Sequence, residues 1–107
     1  MDKQEKLTRN LIAVNNYRAR QLDKPATLTL EEWQAILQAR KFCSYCGGPL
    51  LDPQLEHIIP LSNPDSPGTT AKNCTISCAS CNRKKAQETW AIHPAQLSFV
   101  FTSTATS

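Results

Sequence analysis

Along residues 3–22 the apolar positions Leu7, Leu11 and Val14 fall at i, i+4 and i+7, and Tyr17 and Leu22 extend the stripe. This period predicts a helix that buries that stripe. Asp2 and Glu5 stand in capping-box positions, and Pro25 disfavours helical geometry at Lys24, which ends the element. A second helix is signalled more fully. Thr29 can cap it, Glu32 completes a capping box three residues on, and Leu28 and Trp33 sit where a hydrophobic staple would close. Leu30, Trp33, Ile36 and Leu37 make one apolar face, with Trp33 as the core anchor, while Arg40 and Lys41 suit the negative end of the helix dipole.

The pattern then shortens. Residues 55–59 read as a strand stopped by Pro60, and residues 62–72, rich in Pro, Ser, Asn and Gly, read as a polar surface loop. Residues 74–77 make a second short strand, and a helix runs from Ala79 to about Trp90. In the tail, residues 96–101 alternate enough for a strand or an apolar lid, and residues 102–107 are polar and predicted to be disordered. His93, before Pro94, reads as a turn residue. The sum is an α+β chain of one domain, with two helices ahead of a strand–strand–helix unit.

With 107 residues, 40% of them hydrophobic, the chain can build one small core. No apolar run is long enough for a membrane span, and the first residues lack the apolar segment of a secretory signal. The expected location is a reducing cytoplasm, where paired cysteines imply metal or redox chemistry rather than structural disulfides. The formal net charge is +3. Four thiolates on one zinc would remove two of those charges and a second divalent ion would restore them, so the position of the cations carries more information than their total. Lys6, Arg9, Arg18 and Arg20 give the first helix a basic outer surface, suited either to solvent or to phosphate contact.

The strongest chemical signal is the pair of C-x-x-C motifs, Cys43/Cys46 and Cys78/Cys81. Two tight pairs can supply the four thiolates of a tetrahedral zinc. Such a site has no open position, so the ion would be structural and catalytically silent. The glycines after Cys46 let the backbone turn and aim amides at sulfur. A dithiol redox pair is the competing reading. The fifth cysteine, Cys74, lies on the second strand beside Ile76 and reads as a small buried hydrophobe.

Between the cysteine pairs lies Glu56-His57-Ile58-Ile59-Pro60-Leu61-Ser62, then Asn73, and after the second pair Asn82-Arg83-Lys84-Lys85. These residues resemble the HNH endonuclease family with its ββα-metal fold, in particular small stand-alone members common in bacteriophage genomes. Leu28 to Leu37 and Thr69 to Cys74 resemble the same group. The resemblance implies an α+β, ββα-metal nuclease core stapled by a four-cysteine zinc site. It divides the chain into an N-terminal helix and linker (1–27), the nuclease core (28–90) and a tail (91–107).

By that resemblance His57 is the general base that activates water, Asn73 pins the intervening loop and orients His57, and Asn82 fills the third motif position. Glu56 and Asn82 would hold one catalytic Mg²⁺ or Mn²⁺. An imidazole suits proton abstraction and a hard cation on oxygen ligands suits charge neutralisation. The family more often has aspartate at the Glu56 position and histidine at the Asn82 position; an amide oxygen favours Mg²⁺ over softer metals. Arg83, Lys84 and Lys85 are candidate grips on the DNA backbone, with no set of base-reading side chains beside them. The implied partner is DNA, with phage terminase subunits as protein partners in a bacterial host and a monomer or homodimer as the active form. The rivals are a non-catalytic zinc-dependent DNA-binding module, a site-specific homing or restriction-type nuclease, and a thiol redox protein.

Overall fold

The computed structural model describes residues 2–51, 53–85 and 88–90. Its elements are α1 (Lys3–Gln21), α2 (Leu30–Ala39), β1 (Gln54–His57), a single 3-10 turn (Ala71–Asn73), β2 (Cys74–Ser77) and α3 (Ala79–Lys85). The fold is α+β, and β1, β2 and α3 form the expected ββα unit. The strands are antiparallel, with Gln54 opposite Ser77 and His57 opposite Cys74.

α2 forms as its sequence dictates. Thr29 Oγ1 accepts from the Glu32 amide at 3.1 Å and the Thr29 amide donates to Glu32 Oε1 at 2.9 Å, so both arms of the capping box are closed. Leu28 and Trp33, the staple residues, are buried in one cluster with Ile12, Cys74 and Ile76. Arg40 departs from its expected role at the helix dipole. It is the C-cap, its side chain is buried, and its guanidinium hydrogen-bonds Thr75 Oγ1 beneath the hairpin.

α1 has the expected length and Asp2 caps it through the Glu5 amide at 2.7 Å, but its phase is corrected. Leu7, Leu11, Val14, Tyr17 and Leu22 are all exposed, and the inward face is Ile12, Asn15 and Ala19. The reason is polar docking. Asn15 O accepts from Thr69 Oγ1 at 2.9 Å and Asn16 Nδ2 donates to Leu28 O at 3.0 Å. The Asn15 main-chain carbonyl and the Asn16 side chain thus dock inward, and the leucine stripe is left outside, against the hydrophobic period.

The loop between the strands is not wholly a surface loop. Ser66, Gly68 and Thr69 are buried, because the segment after α1 is laced to it. Thr69 N donates to Pro25 O, and Thr69 O accepts from the amides of Thr27 and Leu28. Gly68 has φ +86°, and a Cβ there would stand 2.1 Å from Pro25 O, so only glycine fits. α3 is shorter than expected. Glu88 N closes a tight final bond to Lys85 O, and Trp90 packs edge-on against Tyr45 with ring centroids 5.9 Å apart instead of continuing the helix. The expectations for His93, residues 96–101 and residues 102–107 lie outside the described residues.

Candidate active site and zinc cluster

Cys43 and Cys46 flank a tight turn, and Cys78 and Cys81 lie at the start of α3, at one end of the ββα unit. The four Sγ atoms lie within 4.8 Å of one another, close to the roughly 3.8 Å that a tetrahedron with ~2.3 Å Zn–S bonds requires. The amides of Tyr45, Gly48 and Cys81 each donate to sulfur at 3.4 Å, on Cys43, Cys46 and Cys78 respectively. Gly47, at φ +73°, completes the turn at the first pair. Burial opposes ionisation of Cys43, but the backbone amides around it prevail and bring the thiol down to about 7. Cys81 is pushed upward by burial and by the neighbouring thiols. The donor set and its spacing fit a structural zinc. Cys74 is apart from it, 1% exposed, with its thiol pushed up to about 12 by burial, a packed side chain as expected.

The other end of the unit carries a pocket of about 340 Å³ lined by Glu56, His57 and Asn82 with Asn15, Arg18 and Leu22 of α1 and its C-cap. Strand and helix thus bring the motif residues to one cavity. His57 is 6% exposed, and its Nε2 lies 2.9 Å from Thr69 Oγ1. Because the Thr69 hydroxyl donates to Asn15 O, it must accept from His57, which places the imidazole proton on Nε2 and leaves the Nδ1 lone pair available. Burial, with Arg18 and Lys85 nearby, lowers the His57 pKa to about 4. The ring is therefore neutral near pH 7.

The Asn73 side chain makes its hydrogen bonds elsewhere than to the imidazole. Its Oδ1 accepts from Ile59 N at 2.9 Å, while Nδ2 donates to Ile59 O at 3.0 Å and to Gly68 O at 2.9 Å. Its carbonyl accepts from Ile58 N at 2.8 Å. One buried amide thus ties the chain just after His57 to the chain just before Thr69, and Thr69 orients the ring. The sequence reading missed Thr69, whose one signal was its place after a glycine inside an otherwise polar loop.

Glu56 is 8% exposed. Its Oε1 accepts from the His57 amide at 3.0 Å, and Oε2 is buried without a protein partner. Burial pushes this carboxyl up in pKa, and Lys85 opposes that rise. A carboxylate with one unpartnered buried oxygen, on the lining of a polar cavity shared with an amide side chain, suits a hard divalent cation. Lys85 is the clearest departure from expectation. It is fully buried on the inward face of α3, one turn from Cys81, with Nζ donating to His57 O at 2.9 Å and 3.6 Å from Glu56 Oε1. It therefore cannot grip a DNA backbone from outside, whereas Arg83 and Lys84 on the same helix are exposed.

A ββα unit that gathers a carboxylate, a neutral imidazole and an amide around one polar cavity, with a four-cysteine cluster at its other end, is consistent with an α+β ββα-metal core. Residues 43–88 match the family model for HNH endonuclease. Comparisons with curated proteins and with solved structures give no match. Among the described residues no helix is long and apolar enough to cross a membrane.

Proposed function

We propose that the chain is a divalent-metal-dependent endonuclease that hydrolyses DNA phosphodiester bonds with low sequence selectivity. The observation that carries this reading is the shared pocket. Glu56, His57 and Asn82 come from a strand and a helix to line one cavity, and the hydrogen bond to Thr69 leaves His57 Nδ1 as an acceptor.

In the reaction, His57 Nδ1 takes a proton from water as the water oxygen bonds to phosphorus. The bond from phosphorus to the 3′ oxygen breaks, and that oxygen is protonated from solvent, leaving 3′-hydroxyl and 5′-phosphate ends. Glu56 Oε2 and the Asn82 amide oxygen would hold Mg²⁺ or Mn²⁺, which supplies charge neutralisation on the phosphate oxygens. Glu56 also fixes its own strand by accepting from the His57 amide. Thr69 keeps the imidazole in the tautomer that can accept a proton. Arg83 and Lys84, exposed beside Asn82, serve as backbone contacts. One pocket cuts one strand per event, so a duplex break needs two chains or two successive nicks.

The finer part of this reading is a role in phage DNA packaging beside the terminase, in the cytoplasm of a bacterial host. It is supported only by the resemblance of the segments 28–37 and 69–74. A plasmid-nicking assay with Mg²⁺ or Mn²⁺ tests the activity. Wild type should convert supercoiled to open-circular DNA, and His57→Ala should bind DNA while cutting about 100-fold more slowly or worse. A wild type that binds DNA without cutting in any divalent metal would replace this reading with a zinc-dependent binding module.

A further inference from the structure

α1 lies outside the segment that matches the HNH model, yet it forms one wall of the pocket. Asn15, Arg18 and Leu22 fall at i, i+3 and i+7 and reach the cavity as one flank of the helix. That flank is held against the hairpin by the chain of hydrogen bonds from His57 Nε2 through Thr69 Oγ1 to Asn15 O. The helix is therefore registered to the imidazole itself rather than packed loosely beside it.

The charges around the cavity are unevenly distributed. Lys85 is committed behind it, to Glu56 and to the His57 carbonyl. Arg83 and Lys84 do not line it, and His57 is neutral. Among the described lining residues Arg18 is the one fixed cation. Its side chain makes no hydrogen bond or ion pair with another described residue, so its five donors are available to a ligand. It shares the cavity lining with Glu56 and His57, and its charge is felt by both.

A phosphodiester under attack gains negative charge on its non-bridging oxygens. A planar guanidinium that can donate two parallel N–H groups is suited to that geometry, more so than a lysine. We infer that Arg18 contacts the scissile phosphate from α1, so that the catalytic centre is composite and the ββα unit alone is incomplete. This rests on the endonuclease reading above. The covalent accounting is unchanged: water supplies the oxygen, His57 takes its proton and the 3′ oxygen leaves, while Arg18 forms and breaks no covalent bond.

The test uses the full zinc-loaded chain on two substrates, plasmid DNA and bis(p-nitrophenyl) phosphate. The small diester has no flanking phosphates, so it reports contact with the reacting group alone. Arg18→Ala should lower turnover of both substrates about 10- to 100-fold, the effect expected for a charge-assisted contact made in the transition state. Arg18→Lys should recover part of the loss, and added guanidinium ion at millimolar concentration should partly restore Arg18→Ala but not His57→Ala. Thermal melting should be unchanged, since Arg18 is exposed. Wild-type turnover by Arg18→Ala, or a loss confined to the KM for DNA with the small diester unaffected, would overturn the inference while leaving the nuclease reading standing. Failure of the wild type to cut either substrate would remove both.

Discussion

The two ends of the β1–β2 hairpin are held by different physics. At the Gln54–Ser77 end the chain runs into Cys78, and four sulfurs gather within bonding range of a single ion. At the His57–Cys74 end the strands are joined by residues 58–73, which are held by the side chain of Asn73 and by a parallel bridge between Ala26 and Thr69. The first end is strong, local and chemically simple. The second is a set of individually modest hydrogen bonds that must all be made at once. The chemistry sits at the second end, so precise placement of His57 is delegated to the weaker apparatus and bulk stability to the stronger.

The largest expected effect lies at the sulfur end. Structural zinc contributes roughly 10–16 kcal/mol of apparent free energy in small domains, comparable with or larger than the whole net stability of about 5–15 kcal/mol that such domains have. Elemental analysis should give one zinc per chain. Stripping it with a strong chelator, or making Cys43→Ser, should abolish cooperative thermal unfolding by near-UV circular dichroism. A metal-free chain with a sharp, unshifted transition would show that the two ends do not differ in this way.

At the loop end, Asn73→Ala should be smaller but still severe. It deletes three side-chain hydrogen bonds at a position 2% exposed and leaves the Ile59 amide without its partner. Buried groups left unpaired cost about 1–3 kcal/mol each, so a total of about 3–5 kcal/mol is expected from urea unfolding. Zinc content should stay at one per chain, and nicking should fall with the loss of order around His57. Loss of zinc in this variant would mean that the ends are not independent.

The same contrast explains what the sequence disclosed. The zinc end was legible because C-x-x-C spacing encodes geometry directly: two residues between ligands force both sulfurs onto one turn. α2 was legible because Thr29, Glu32, Leu28 and Trp33 all gave consistent local signals. α1 misled because hydrophobic period assumes that the apolar stripe is buried, whereas the Asn15 main-chain carbonyl and the Asn16 side chain hydrogen-bond inward and outrank it. Lys85 misled because a run of three cations reads as one surface, although helical rotation puts the third of them on the face of Cys81. The role of Thr69 was not legible, although the residue lies in a segment that carries the family resemblance. Its function depends on a partner 54 positions away in sequence, and no local pattern reports a contact at that range.

The smallest of the effects that sharpen the comparison is a dependence on acidity that belongs to the loop end alone. His57 is held at about 4 when folded, mainly by burial, against about 6.5 for an unperturbed histidine. Between those values the unfolded chain binds the proton and the folded chain refuses it, so stability is full above about pH 6.5 and is lost as pH falls toward about 4. From pH 7 to pH 5 this one group should remove roughly 2 kcal/mol. The thiols and Glu56 also respond to acid, so the informative quantity is the difference between wild type and His57→Gln in urea unfolding at the two pH values. His57→Gln lacks the titrating ring, and its stability should fall less over that interval by this amount. Equal losses in the two proteins would mean that the imidazole is accessible to protons in the folded state and is not sealed between Thr69 and the hairpin.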